Sequence, residues 1–142
     1  MKVLFLSQIV PYPPHGGVLQ RGYNLLRELG RRAEVHLLAF VHPDELRSQQ
    51  AVDESREALG RFCRTVEYFP LWAKASRLHR LAAIGLSAVS SDSFSMVAHR
   101  SAPFERSVRR AVQPSAFDIL HVDTIALDPF ARPYRHLPSV LT

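Results

Sequence analysis

Five short apolar runs punctuate this chain, and their spacing constrains its fold more than any other feature: Lys2–Ser7 (KVLFLS), Glu34–Val41 (EVHLLAFV), 64–69 (RTVEYF), 117–122 (FDILHV) and 138–142 (PSVLT). Each reads as a strand, and the first, unbroken by polar residues until its end, as one buried on both faces. Between the first two, Val18, Leu19, Tyr23, Leu25, Leu26 and Leu29 recur at helical spacing opposite Gln20, Arg21, Asn24, Arg27 and Glu28. That pattern predicts a helix over 18–31, with Gly30 helping to end it. Residues 43–60 predict a second, more polar helix with Pro43 in its first turn, and residues 102–112 a later one. Strands that alternate with helices pair in parallel through crossovers, so the expected fold is α/β, a Rossmann-like doubly wound sheet. A chain of 142 residues buries one sizeable core, hence one domain. The fifth run stops soon after it begins, which suggests that a further domain belongs with this one.

Residues 71–90 (LWAKASRLHRLAAIGLSAVS) place Leu71, Ala75, Leu78, Ala82, Leu86 and Val89 along one side and Lys74, Arg77 and Arg80 on another. The expectation is an amphipathic basic helix, or a helix pair broken near Gly85, followed by a looser connection marked by Ser87, Ser90, Ser91, Ser93 and Ser95. Most such helices turn the apolar side to the core and leave the polar side solvated, and that is the arrangement expected here. The alternative is an interfacial surface in which Trp72, Lys74, Arg77 and Arg80 meet anionic lipid at a membrane.

The first strand leads into PYPPHGG, residues 11–17. In open α/β sheets ligands bind beyond the carboxyl ends of the strands, where a helix N-terminus offers unpaired amides and partial positive charge. Gly16 and Gly17 lie at that junction and would let backbone approach an anion closely. Pro11, Pro13 and Pro14 would stiffen the approach. The plainer reading is a tight turn in which the prolines end the strand. Neither G-x-G-x-x-G nor G-x-x-x-x-G-K-[ST] is present, so neither dinucleotide binding nor a P-loop is supported.

The formal charge of +5 comes almost wholly from arginine, Lys2 and Lys74 being the only lysines, and it favours anionic partners. Aromatic residues are not interleaved with the arginines, so nucleic acid is not an expected partner. Cys63 is the single cysteine and reads as a small buried residue rather than a nucleophile. Seven histidines show no H-x-x-x-H or Cys/His spacing, which gives no support to a metal, and G-x-S-x-G of serine hydrolases is lacking. The lone cysteine cannot form an internal disulfide and gives no sign of an oxidising compartment, and the first apolar run is too short for a signal-peptide core or a membrane span, so a cytoplasmic setting, with peripheral contact at the inner face of the membrane as the further option, is expected.

Taken together, KVLFLS, the proline loop, Gly16-Gly17-Val18, the strand EVHLL and FDILHVD (117–123) resemble the amino-terminal domain of a retaining glycosyltransferase of family four, of the kind associated with exopolysaccharide assembly. The resemblance spans the chain. It implies a GT-B architecture, two Rossmann-like domains facing across a cleft, of which this is the acceptor-side half. The other half would carry a Glu-x7-Glu element for the nucleotide sugar, which this chain does not contain, so the domain alone would be inactive. The resemblance places Gly16 and Gly17 near the donor diphosphate. It places His121 or Asp123 near the reacting sugar carbon, although relatives commonly have His or Glu where Asp123 stands. His15 and Arg21 would contact phosphate or acceptor. The donor would be a nucleotide sugar, the acceptor a polysaccharide, glycoconjugate or lipid-linked glycan, and no cofactor is required. The plainer reading takes His121 as a histidine satisfied inside the sheet and Asp123 as a residue that caps the next segment. A non-catalytic α/β ligand-binding or partner module remains the alternative to the enzyme.

Overall fold

The computed structural model describes residues 1–42, 44, 46–74, 76–90, 92–113 and 116–142, the Lys74 side chain excepted. In chain order the elements are β1 (Lys2–Ser7), α1 (Gly17–Gly30), β2 (Glu34–Val41), α2 (Gln49–Gly60), β3 (Thr65–Pro70), a 3-10 turn at Trp72–Lys74, α3 (Arg77–Val89), α4 (Phe94–Ala98), α5 (Ala102–Val112) and β4 (Ile119–Val122). A 3-10 turn at Ile125–Leu127, α6 (Asp128–Ala131), another 3-10 turn at Arg132–Tyr134 and β5 (Ser139–Leu141) complete it.

All strand pairings are parallel, and the sheet order is β3-β2-β1-β4-β5. The expected α/β doubly wound sheet is therefore present. Period-two alternation divides β1 and β2 between two cores, one on each face. Leu4, Leu6, Leu38 and Phe40 pack with Phe104 and Val108 of α5 and Phe130 of α6. Val3, Phe5, Val35, Leu37 and Ala39 pack on the other face with Leu26 of α1, Leu59 of α2 and Cys63. At the centre of the first core, Phe40 stacks on Phe104 with ring centroids 4.4 Å apart and planes 16° from parallel. Offset stacking of this sort adds about 1 kcal/mol to the area that the rings bury.

Four helices begin on serine. The hydroxyls of Ser48, Ser76, Ser93 and Ser101 accept from the backbone amides of Ala51, His79, Met96 and Phe104. These caps explain two departures from the expected boundaries. The second helix starts at Gln49 rather than 43 because Ser48 satisfies its first turn; Pro43 itself lies outside the described residues. The helix at 71–90 is not broken near Gly85; the interruption is upstream, and Ser76 starts α3, which then runs unbroken to Val89. A mid-helix glycine costs only about 1 kcal/mol, too little to break it. The serine-rich connection holds the short helix α4, capped by Ser93, with Ser91 outside the described residues.

Gly30 does end α1, but not through a left-handed turn, since the cap residue Arg31 is right-handed. Its hydrogen faces the Phe62 carbonyl, which a β-carbon would approach to 2.3 Å. The expected apolar side of α3 is not turned to the core, although Arg77 and Arg80 are solvated as expected. Ala83 is its buried residue, whereas Leu78, Leu81, Ile84, Leu86 and Val89 are exposed, because the helix rests on alanines and valine (Ala73, Val97, Ala98) and not on either main core. Of the apolar side drawn from sequence, Leu71 is buried before the helix begins, and Ala75 lies outside the described residues.

Candidate functional site

Strand order reverses between β1 and β4, and a crevice forms beyond their carboxyl ends at such a switch point. The loops leaving these strands are tied together there. The Asp123 amide donates to the Leu6 carbonyl at 3.0 Å, and the Thr124 hydroxyl reaches the Gln8 side-chain oxygen at 3.3 Å.

The proline loop is anchored to the body of the fold. The Val10 amide donates to the Phe40 carbonyl at 3.0 Å, Pro11 is buried against Gly22 of α1, and Tyr12 lies near Tyr23 with centroids 6.2 Å apart. A β-carbon on Gly22 would come within 3.0 Å of the Pro11 ring, so this glycine admits the loop. The Tyr12–Pro13 peptide is cis. What the anchored loop presents outward is His15-Gly16-Gly17-Val18, all exposed.

Gly16 is the N-cap of α1 and has φ +78°, a left-handed value that side chains resist. It brings no side-chain cap, and no acidic residue stands in the first turn. Among the described residues the amides of Gly17, Val18 and Leu19 take no hydrogen bond, in contrast to the serine-capped helices. A 14-residue helix thus points an uncapped, partially positive end outward. A β-carbon on either Gly16 or Gly17 would meet nothing within 4 Å. The space in front is a cavity of about 510 Å³ lined by His15, Gly16, Gly17, Gln8, His42 and His99 among others.

A second cavity of about 630 Å³ adjoins it, sharing His42, Ser95 and His99 and extending to Arg77, Arg80 and Phe94. His99, which sequence reasoning passed over, sits between the two. Its ring is buried, and Nδ1 donates to the Ser95 carbonyl at 2.7 Å. Burial holds its pKa below the ordinary histidine value, against the Ser95 carbonyl and the nearby Gln8 backbone. Nε2 is hidden from solvent and, among the described residues, has no partner in hydrogen-bond geometry. The signal for His99 was only its place in the fold, between α4 and the loop after β1.

The structure brings Arg21 and Asp123 together. Arg21 Nη2 donates to Asp123 Oδ1 at 2.9 Å, and Ser7 Oγ donates to Oδ2 at 3.2 Å. Asp123 is 2 % exposed, and burial raises its pKa above the usual carboxylate value despite the opposing pull of Arg21 and Ser7. The Arg21 side chain is half exposed while one of its nitrogens holds Asp123, and neither residue is among those lining the two cavities.

His121 lies deeper. It is 5 % exposed, its ring is stacked on Phe5 with centroids 4.3 Å apart, and Nε2 hydrogen-bonds the Thr142 hydroxyl at 3.1 Å. Burial, assisted by the charge on Arg21, lowers its pKa to about 4, so the ring is neutral at physiological pH. It is not among the residues lining either cavity.

Trp72 is turned inward, its Nε1 donating to the Val97 carbonyl at 3.2 Å, while Arg77 and Arg80 are exposed; the Lys74 side chain lies outside the described residues. Among the described residues no group of three His, Cys, Asp or Glu side chains could hold a metal, and no helix is long and apolar enough to cross a membrane. No family model matches the chain, and no curated protein matches it.

Proposed function

We propose that this chain is the acceptor-side domain of a retaining glycosyltransferase, in which the intact enzyme moves a glycosyl group from a nucleotide sugar to a polysaccharide, glycoconjugate or lipid-linked acceptor. One observation carries the reading: the uncapped N-terminus of α1, approached through Gly16 and Gly17, opens on a cavity at the switch point of the sheet. Backbone amides and a helix dipole fixed in this way suit the diphosphate of a sugar donor, whose negative charge grows as the glycosyl bond breaks.

On this reading Gly17, Val18 and Leu19 donate to the diphosphate, with His15 at the rim. Arg21, held by Asp123, adds a positive charge on the same helix. Asp123 is then a positioning residue that orients the guanidinium. His121, neutral and packed under the crevice, shapes its floor from below. The adjoining cavity offers room for the acceptor. Loss of the leaving diphosphate is eased by donors already in place, with no metal needed to assemble them.

The test is titration of the 15N-labelled chain with UDP- and GDP-linked hexoses. The Gly17, Val18 and Leu19 amide signals should shift on addition and stay put in Gly17→Leu, which fills open space without disturbing the core. Shifts confined to other parts of the molecule, or the same shifts in Gly17→Leu, overturn the assignment.

A further inference from the structure

The outward face of α3 points to a second binding surface, and we infer that it docks on an anionic lipid bilayer. Leu78 is 78 % exposed and Val89 84 %, with Leu81, Ile84 and Leu86 also exposed along the same 13-residue helix. At 100° per residue, Leu78, Leu81, Ile84 and Val89 fall within little more than a third of the helix circumference. A globular domain keeps so dense an apolar stripe away from water. Here only the small side chain of Ala83 is turned inward.

Charge selects the occupant. No aspartate or glutamate occurs from residue 68 to 91, while Lys74, Arg77 and Arg80 all fall in that stretch. Arg77 and Arg80 are exposed at the start of the same helix. Two copies of this face brought together would juxtapose like charges with no carboxylate of their own to balance them. An anionic bilayer satisfies both halves of the surface at once, taking the leucines among its acyl chains and the arginines among its headgroups. Arg77 and Arg80 also line the cavity of about 630 Å³, with Asp44 as the acidic member of that lining among the described residues. Docking through α3 therefore brings the cavity up to the headgroup layer. The inference stands apart from the sugar-transfer reading, since it uses none of the residues at the α1 terminus.

The experiment is co-sedimentation of the chain with phosphatidylcholine vesicles, with and without about 30 mol% phosphatidylglycerol to supply anionic headgroups. Binding should require the anionic lipid and weaken with salt. Arg77→Gln with Arg80→Gln should lower partitioning about 25-fold, near fivefold for each charge. Leu78→Gln with Leu81→Gln should lower it about tenfold or more while leaving the thermal melt unchanged, because both side chains are exposed in the fold. In Leu81→Trp, vesicles should shift the fluorescence of the new indole to the blue. Absence of binding to anionic vesicles, binding indifferent to the leucine pair, or a dimer in velocity sedimentation that the leucine changes split apart would each overturn the inference.

Discussion

Arg21 and Asp123, 102 residues apart in sequence, meet at 2.9 Å where the loops after β1 and β4 converge. Replacing Arg21 with alanine leaves the buried carboxylate, among the described residues, with one side-chain partner, the Ser7 hydroxyl, whose proton the Ile9 carbonyl also accepts at 2.8 Å. Because the arginine is half exposed, the expected cost at neutral pH is about 1–3 kcal/mol rather than the larger loss of a fully buried pair. Asp123 already has a raised pKa, and the change raises it further. The deficit against wild type should therefore shrink as pH falls and Asp123 protonates in both proteins. Urea unfolding of the two proteins at a series of falling pH values measures this.

His121 makes the opposite demand. Its folded pKa of about 4 lies below the ordinary 6.5, so the unfolded chain takes up a proton first as the solution is acidified. Stability from this source is intact above pH 6.5, declines as pH falls toward about 4, and levels below it. The decline should amount to about 2 kcal/mol, allowing for the part of the ring that water reaches. His121→Phe keeps the stack on Phe5 and removes the titration, so its stability profile should be flatter over that window.

Glycine replacements separate packing from propensity. Ala at Gly30 would drive a methyl group to 2.3 Å from the Phe62 carbonyl and should destabilise by about 2 kcal/mol or more. Ala at Gly85, in the open interior of α3, should stabilise by up to about 1 kcal/mol. Thermal melts of the two single variants should shift in opposite directions.

Gly16 and Gly17 should also part company. Gly16→Ala meets a positive φ and should cost about 1 kcal/mol or more, whereas Gly17→Ala has open space, an ordinary backbone, and little effect on melting. Nucleotide-sugar binding should suffer in both. Calorimetric titration alongside the melts reads the two effects independently.

Cys63 is buried beside the second core, and burial pushes its thiol up to about 12. Native protein should resist iodoacetamide at about pH 8 and react once unfolded in urea. Mass spectrometry before and after denaturant distinguishes the two.

The central strands were legible because β1 and β2 are uninterrupted apolar runs, and both were expected with the bounds that they have. The same holds for α5, where Ser101, Pro103 and the terminal arginines mark both ends. The crevice followed from alternation, which puts Gly16 and Asp123 at the same edge of the sheet. What hydrophobic periodicity does not encode is which neighbour an amphipathic helix finds, so α3 was expected to turn its leucines inward. The pairing of Arg21 with Asp123 was equally hidden, since it depends on two loops distant in sequence. The N-cap serines were a readable signal that goes further than composition. Each stands three residues before the amide it accepts from, and each would have placed a helix start.

The cluster beneath α3 holds Ala73, Ala83, Val97 and Ala98 with Trp72 against it, and belongs to neither face of the sheet. So small an apolar contact gives α3 and α4 little cooperative linkage to the rest of the molecule. In native-state hydrogen exchange their amides should open as one unit, well ahead of β1 and β2, through excursions that leave the sheet intact. A lobe able to detach in this way can change its seat without unfolding the domain that carries it.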